Sequence, residues 1–243
     1  MSPSRKVVAE AEQDGRGRRG VERGTAGCGV LPASGVATSP TKDWLLATDG
    51  GQVNTYTVGY FVGSLTRASI NRKLARALTR LAPADLTMRE IPIAELPLYS
   101  ADYEADYPPP ARALKDAIAA VDAVLFVTPE YNRSIPAALK NAIDWASRPK
   151  GQNSFARKPS ATIGTSPGKI GTAVGQQHLK SILSYCNSPQ MNAIEAYIQF
   201  TPGLITDDGD VTVPETAEFL RNYMDEFCNF ITRVYMAIPR QRT

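Results

Sequence analysis

From Thr55 onward the apolar positions switch repeatedly between short unbroken runs and a helical spacing. Tyr56–Val62 (YTVGYFV) is a β-rich run. Residues 69–81 then place Ile70, Leu74, Ala77, Leu78 and Leu81 on one helix face. A second strand is predicted over 86–91. A Tyr-, Asp- and Pro-rich connection, 92–110, leads to a second helix over 111–121. Ala123–Val127 (AVLFV) is apolar throughout, as a strand covered on both faces must be. The third helix is predicted over 136–147, with Pro136 in its first turn, where a missing N–H is harmless. A fourth strand (160–164), a fourth helix (175–185), a fifth strand (190–196) and a last helix (214–234) complete the pattern. Strands alternating with helices in this way imply a three-layer α/β sandwich on a five-stranded parallel sheet.

The first fifty residues show no period. Residues 1–52 are rich in Gly, Arg, Ser and Ala, and read as a disordered extension of one domain, 53–243. Arg18-Arg19 invites an export reading, but the following GVERGTAGCGV supplies charge and glycine where a signal needs an apolar stretch. Cys28 after Thr-Ala-Gly lacks that stretch too.

Composition narrows the function. Formal net charge is +3. Seven of the 27 Lys and Arg and six of the 24 Asp and Glu fall in 1–52, leaving 20 against 18 in the rest. Such balance gives no electrostatic footprint for nucleic acid. One histidine, His178, excludes a multi-histidine metal site, so no metal is expected. Cys28, Cys186 and Cys228 are odd in number and widely spaced, which points to a reducing, cytoplasmic setting. No run of apolar residues is long enough for a membrane span.

Three loops follow three of the strands and should open at the sheet's carboxyl edge, where α/β sheets bind ligands. The first, 63–71 (GSLTRASIN), offers the hydroxyls of Ser64, Thr66 and Ser69, the Asn71 amide, the Arg67 guanidinium and helix-start N–H groups. Those groups suit a phosphate dianion. An ordinary capped helix accounts for them equally well. The second loop runs Pro129-Glu130-Tyr131-Asn132-Arg133-Ser134 and suits a flat polar ring, although a polar turn with a packed Tyr131 would look the same. The third, Thr165-Ser166-Pro167-Gly168-Lys169-Ile170-Gly171, has glycines that permit close approach to a ligand. One phosphate site and two ring-sized loops suggest a mononucleotide. FMN fits a flavodoxin-like sheet of order 2-1-3-4-5.

The stretch PEYNRSIPAALKNAIDWASR, residues 129–148, resembles the NADPH-dependent FMN reductase family, in particular its quinone, chromate and azo-compound reductases. Its pattern there is similar to PEYNxSxPxxLKNAIDWxSR, and at the first loop to GSLRxxSxN. Thr66 stands where that second pattern has Arg, with Arg67 one place later. The resemblance spans roughly residues 53–234. It implies that Ser64, Thr66, Arg67, Ser69 and Asn71 cradle the FMN phosphate. Pro129, Glu130, Tyr131 and Asn132 would border the ring system, and Thr165, Ser166, Pro167 and Gly168 its other edge. It further implies NADPH or NADH as donor, a quinone, chromate, azo compound or free flavin as acceptor, and hydride passing through flavin N5 in ping-pong order. No side chain need act as acid or base. A homodimer or homotetramer is also implied.

Three other functions compete, one of them a non-enzymatic nucleotide sensor. Gly164-Thr165-Ser166-Pro167-Gly168 matches the GxSxG elbow of α/β-hydrolases, which would make Ser166 a nucleophile with His178 as base. No acid lies between them in the chain, and His178 is expected to be partly buried on its helix. A flavodoxin-type electron carrier would use the same cofactor without turnover, but such carriers are strongly acidic. Asp207-Asp208-Gly209-Asp210 fits no EF-hand register and reads as a solvated turn. Tyr99, Tyr103 and Tyr107 suit a substrate-pocket wall or surface packing between subunits equally.

Overall fold

The computed structural model describes residues 55–239. The expected extension, 1–52, lies outside them. Five strands, β1 (Tyr56–Val62), β2 (Leu86–Glu90), β3 (Ala123–Val127), β4 (Ser160–Ser166) and β5 (Tyr197–Gln199), form one sheet of order β2-β1-β3-β4-β5. Every pairing is parallel. The helices are α1 (Ile70–Leu81), α2 (Pro109–Ala119), α3 (Ala137–Ala146), α4 (Ala173–Tyr185) and α5 (Pro214–Ala237).

Strand side chains alternate between faces, and the two faces recruit different helices. Val58, Val62, Leu125, Val127 and Ile163 cluster with Leu74 and Leu78 of α1 and with Tyr223, Met224, Phe227 and Ile231 of α5. Phe61, Val124 and Phe126 cluster with Ile118 of α2, Leu139, Ile143 and Trp145 of α3, and Leu179 and Leu183 of α4. Each fully buried large side chain is worth about 1.5–3 kcal/mol. Both faces are therefore strong, and the strand ends between them are held in place.

Sequence and structure agree to within three residues for most elements, with one clear correction. The fifth strand is not 190–196 but Tyr197–Gln199. Gln190 makes only an isolated bridge to Ser160, and Ile194 takes a left-handed conformation (φ 56°) that breaks any extended run. Strand pairing resumes at Tyr197, opposite Gly164. The helix expected over 111–121 begins two residues earlier, because Pro109 and Pro110 fit its first turn.

The tyrosine-rich connection crosses α3. The Pro97 carbonyl accepts from Asn141 Nδ2 (2.9 Å) and Trp145 Nε1 (2.7 Å), and the Asn141 side chain accepts from Tyr99 N–H (2.8 Å). Tyr99 and Tyr107 pack edge-on against Trp145, with ring centroids 5.2 and 5.1 Å away. The Tyr107 hydroxyl donates to the Trp145 carbonyl at 3.0 Å, and burial pushes its pKa up to about 12. These tyrosines stabilise the α3 side of the fold.

Tyr223 is fully buried on α5 and its hydroxyl donates to the Thr162 carbonyl in β4 at 2.8 Å. Burial pushes that phenol well above its ordinary range, so it is always a donor. Tyr223→Phe keeps the packing and leaves the carbonyl without this donor; it should cost about 1–2 kcal/mol, read as a lower urea midpoint at unchanged slope.

Candidate functional site

The carboxyl ends of β1, β3 and β4 are drawn together by missing side chains and by one side-chain clamp. A Cβ on Gly164 would lie 2.1 Å from the Thr128 carbonyl oxygen and 2.4 Å from Thr172 Oγ1, so only glycine lets β3, β4 and the start of α4 meet there. Gly171 adopts φ +59°, and its Cβ would lie 2.7 Å from the Tyr197 carbonyl carbon. Its close approach is to β5 and not to a ligand. Gly168 has no such neighbour, with only Ser166 Oγ at 3.5 Å.

The clamp is Asn71. Its Nδ2 donates to the Thr165 carbonyl at 2.9 Å, and its Oδ1 accepts from the Thr165 N–H at 3.0 Å. Asn71 is 1% exposed. Both ends of its carboxamide bond the backbone of one residue, 94 positions away. It therefore positions the first and third loops, and of its groups only the second Nδ2 proton is left for a phosphate.

The three loops enclose a cleft of about 230 Å³ lined by Ser64, Thr66, Ala68, Ser69, Ile70, Asn71, Pro129, Glu130, Tyr131, Thr165, Ser166 and Pro167. Ten of the thirteen residues singled out in the sequence thus share one wall. Arg67, Asn132 and Gly168 do not line it, while Ala68 and Ile70 do. Those two carry no polar side chain, so only the position of their backbone at the helix start could have marked them.

Ser64 and Ser69 are each 5% exposed. Ser69 caps α1, its Oγ accepting from Arg72 N–H at 3.3 Å. Ser64 Oγ accepts from Thr66 N–H at 3.4 Å. The first N–H groups of α1 have no acceptor within the helix. This end of the cleft is a collection of donors at a helix N-terminus, the chemistry that holds a phosphate. FMN fits these residues.

The second loop is a tight hairpin. Tyr131 and Ser134 exchange two backbone hydrogen bonds of 2.9 Å, with Asn132 (φ 51°) and Arg133 (φ 64°) at the corner. Left-handed conformations at both corner residues define a type I′ turn, which explains Asn132 as a turn former exposed at the tip. The turn lifts Tyr131 into the cleft wall with half its surface open. Glu130 turns the other way. Its Oε2 accepts from Gly175 N–H at 2.9 Å, capping α4, and its Oε1 lies 3.5 Å from Arg133. Its side chain is therefore a strut between hairpin and helix.

The hydrolase reading fails on geometry. Ser166 donates to the Gly171 carbonyl at 2.7 Å and accepts from Gly168 N–H at 3.2 Å, folding its own loop. His178 is exposed, not partly buried, and its Nδ1 pairs with Ser134 at 3.2 Å. Thr165 directs its hydroxyl to the Ile198 carbonyl at 3.0 Å.

A larger cavity, about 510 Å³, lies along the outer edge of β5, lined by Tyr197, Ile198, Leu204 and Phe219 with Glu195 and Glu215. The hydrogen bond from Tyr197 holds the Glu195 carboxyl below the ordinary range, so it stays charged. Two carboxylates repel a phosphate. The smaller cleft is the better candidate despite its size. Among the described residues no cluster of His, Cys, Asp and Glu could hold a metal, and no helix is long and apolar enough to cross a membrane. The turn at Asp207–Asp210 instead pairs with Lys73 (2.7 Å) and Arg80 (2.8 Å) of α1.

Comparison with known proteins identifies the family of the chain. Residues 56–202 match the family model described as NADPH-dependent FMN reductase. A 2-hydroxy-1,4-benzoquinone reductase from a Burkholderia species is 47% identical over 174 residues, covering 72% of this chain and 95% of that protein. A quinone reductase from Pseudomonas putida is 44% identical over 177 residues, with the same coverage. The solved structure of a flavoenzyme NAD(P)H:(acceptor) oxidoreductase from Paracoccus denitrificans is 47% identical with a TM-score of 0.71, over 74% of this chain and 98% of that one.

Two outcomes check the site. Asn71→Ala strands the Thr165 N–H and carbonyl, and should cost about 2–4 kcal/mol by chemical denaturation, with Asn71→Asp, which keeps one acceptor, also destabilised. Arg133→Gly relieves a left-handed Arg but takes the cation from beside a Glu130 side chain only 9% exposed; the two effects oppose, and the net change should stay within about 1 kcal/mol in the same assay.

Proposed function

The chain belongs to the NADPH-dependent FMN reductase family, and from that premise we propose that it is a quinone reductase whose FMN sits in the three-loop cleft. The observation that carries the reading is the convergence of Ser64, Thr66, Ser69, Tyr131 and Thr165 on one cleft at the sheet's carboxyl edge. When bound, FMN supplies the redox chemistry, accepting a hydride equivalent from NAD(P)H and giving it to the acceptor.

The chain's own residues supply position. The donors at the start of α1 hold the phosphate end. The hairpin presents Tyr131 and the Pro129 and Glu130 backbone to the ring end, and the third loop closes the far edge through Thr165, Ser166 and Pro167. No charged side chain in the wall is free to act as acid or base, because Glu130 caps α4. Leu65, Tyr131 and Ile170 are exposed, one large apolar side chain on each of the three loops. Apolar groups on all three loops favour flat apolar acceptors over chromate.

Donor and acceptor then share one opening, which makes the turnover ping-pong. A second copy of the chain, as homodimer or homotetramer, would complete the walls of a cleft this small. Exposed Arg133 and Lys169, on the second and third loops, favour NADPH through its extra phosphate. Cys186 and Cys228 are free thiols, in keeping with a cytoplasmic setting. Relatives named as reductases support turnover over a carrier role.

Purified protein supplied with FMN should oxidise NADPH in step with reduction of a benzoquinone, giving parallel double-reciprocal lines when both substrates are varied. Flavin reduced by NADPH but not reoxidised by any quinone would favour the carrier. A protein that leaves NADPH unconsumed with FMN and quinone present would end the assignment.

A further inference from the structure

We propose that this chain grips the phosphate ester with neutral donors alone, and that Thr66, not Arg67, sets the strength of that grip. The proposal rests on the functional reading above and concerns the chemistry of its phosphate end. None of the twelve residues lining the cleft is Lys or Arg. The one charged lining residue, Glu130, has its carboxylate on Gly175 N–H and beside Arg133.

Arg67 is exposed, lies outside the lining, and makes no ion pair or side-chain hydrogen bond among the described residues. Its neighbours in the chain, Thr66 and Ala68, do line the cleft. The loop therefore brings Thr66 to the wall at the place where the motif GSLRxxSxN carries its Arg.

What faces the cleft instead are hydroxyls with protons to give. Ser64 and Ser69 are more than nine-tenths buried. Each accepts a hydrogen bond from a backbone N–H, and neither has an acceptor for its own proton among the described bonds. The Thr66 hydroxyl is uncommitted in the same way. With the first N–H groups of α1, three hydroxyl donors converge on one anion-sized end. A cation is not needed, since hydrogen bonds to an ionised oxygen are already strong. Arg67, Arg133 and Lys169 are exposed, one on each loop, and would raise the rate of encounter with anions more than the strength of the hold.

Ionic strength separates the two designs. Attraction between full charges weakens with salt, whereas a buried dipolar cradle is little affected. The test is titration of the cofactor-free protein with FMN and with riboflavin, which lacks the phosphate, following flavin fluorescence at about 20 mM and about 500 mM NaCl. The expected result is an FMN dissociation constant that changes less than about threefold across that range, both in the wild-type protein and in Arg67→Ala. Thr66→Ala should weaken FMN about fivefold and leave riboflavin unchanged. Thr66→Arg should tighten FMN about tenfold at low salt, lose most of that gain at high salt, and leave riboflavin unchanged. Thr66 is exposed, so both variants should keep the wild-type melting temperature.

Arg67→Ala weakening FMN about tenfold while sparing riboflavin would overturn the proposal, as would an equally strong salt dependence in the wild-type protein. Binding of neither flavin at any salt would instead refute the functional reading and take this proposal with it.

Discussion

A single carboxamide joins the two ends of the site. Asn71 lies on the first turn of α1, and its two hydrogen bonds to the Thr165 backbone tie the loop after β1 to the loop after β4. β3 runs between those strands, so the loop that follows it is enclosed from both sides. The clamp is buried, and its loss would leave the Thr165 N–H and carbonyl unpaired at about 1–3 kcal/mol per group. Everything the cleft does depends on that spacing. Without it, the donors of Ser64 and Ser69 and the wall of Thr165 and Ser166 would have no fixed relation.

The rest of the site is held by the same device of polar side chains spent on backbone. Glu130 caps α4, Ser166 folds the third loop onto Gly171, and Thr165 reaches β5 through the Ile198 carbonyl. These groups look chemically active in a sequence, yet their hydrogen-bonding capacity is consumed within the protein. What remains available is a small set of hydroxyl and N–H donors and one open aromatic face. Such a cleft can hold and orient a cofactor, and it leaves the reaction chemistry to that cofactor.

The fold was largely legible because each level of the sequence pointed the same way. AVLFV is apolar at every position because β3 is covered by helices on both faces, and the spacing of Leu74 and Leu78 marks the face of α1 that meets the sheet. β5 was misplaced because Met191 and Ala196 are buried without belonging to a strand, and nothing local announces the left-handed Ile194. The positions of the site residues were legible from the strand-loop-helix order. Their roles were less so. Whether Asn71 faces a ligand or a peptide 94 residues away is decided by tertiary contact, and no spacing rule contains it. Asn132 could have been read as a turn residue, since Asn is among the few residues that favour φ > 0 at a hairpin corner. Thr66 and Arg67 show the limit most plainly, because adjacent residues of similar promise separate into wall and rim only once the loop has its path.

The most direct measurement is a crystal structure of the protein soaked in FMN. The account requires density for the phosphate beside Ser64, Thr66 and Ser69, with planar density against Tyr131 and the third loop. Density confined to the groove between β5 and Phe219, or an FMN phosphate paired with Arg67 outside the three-loop cleft, would contradict it.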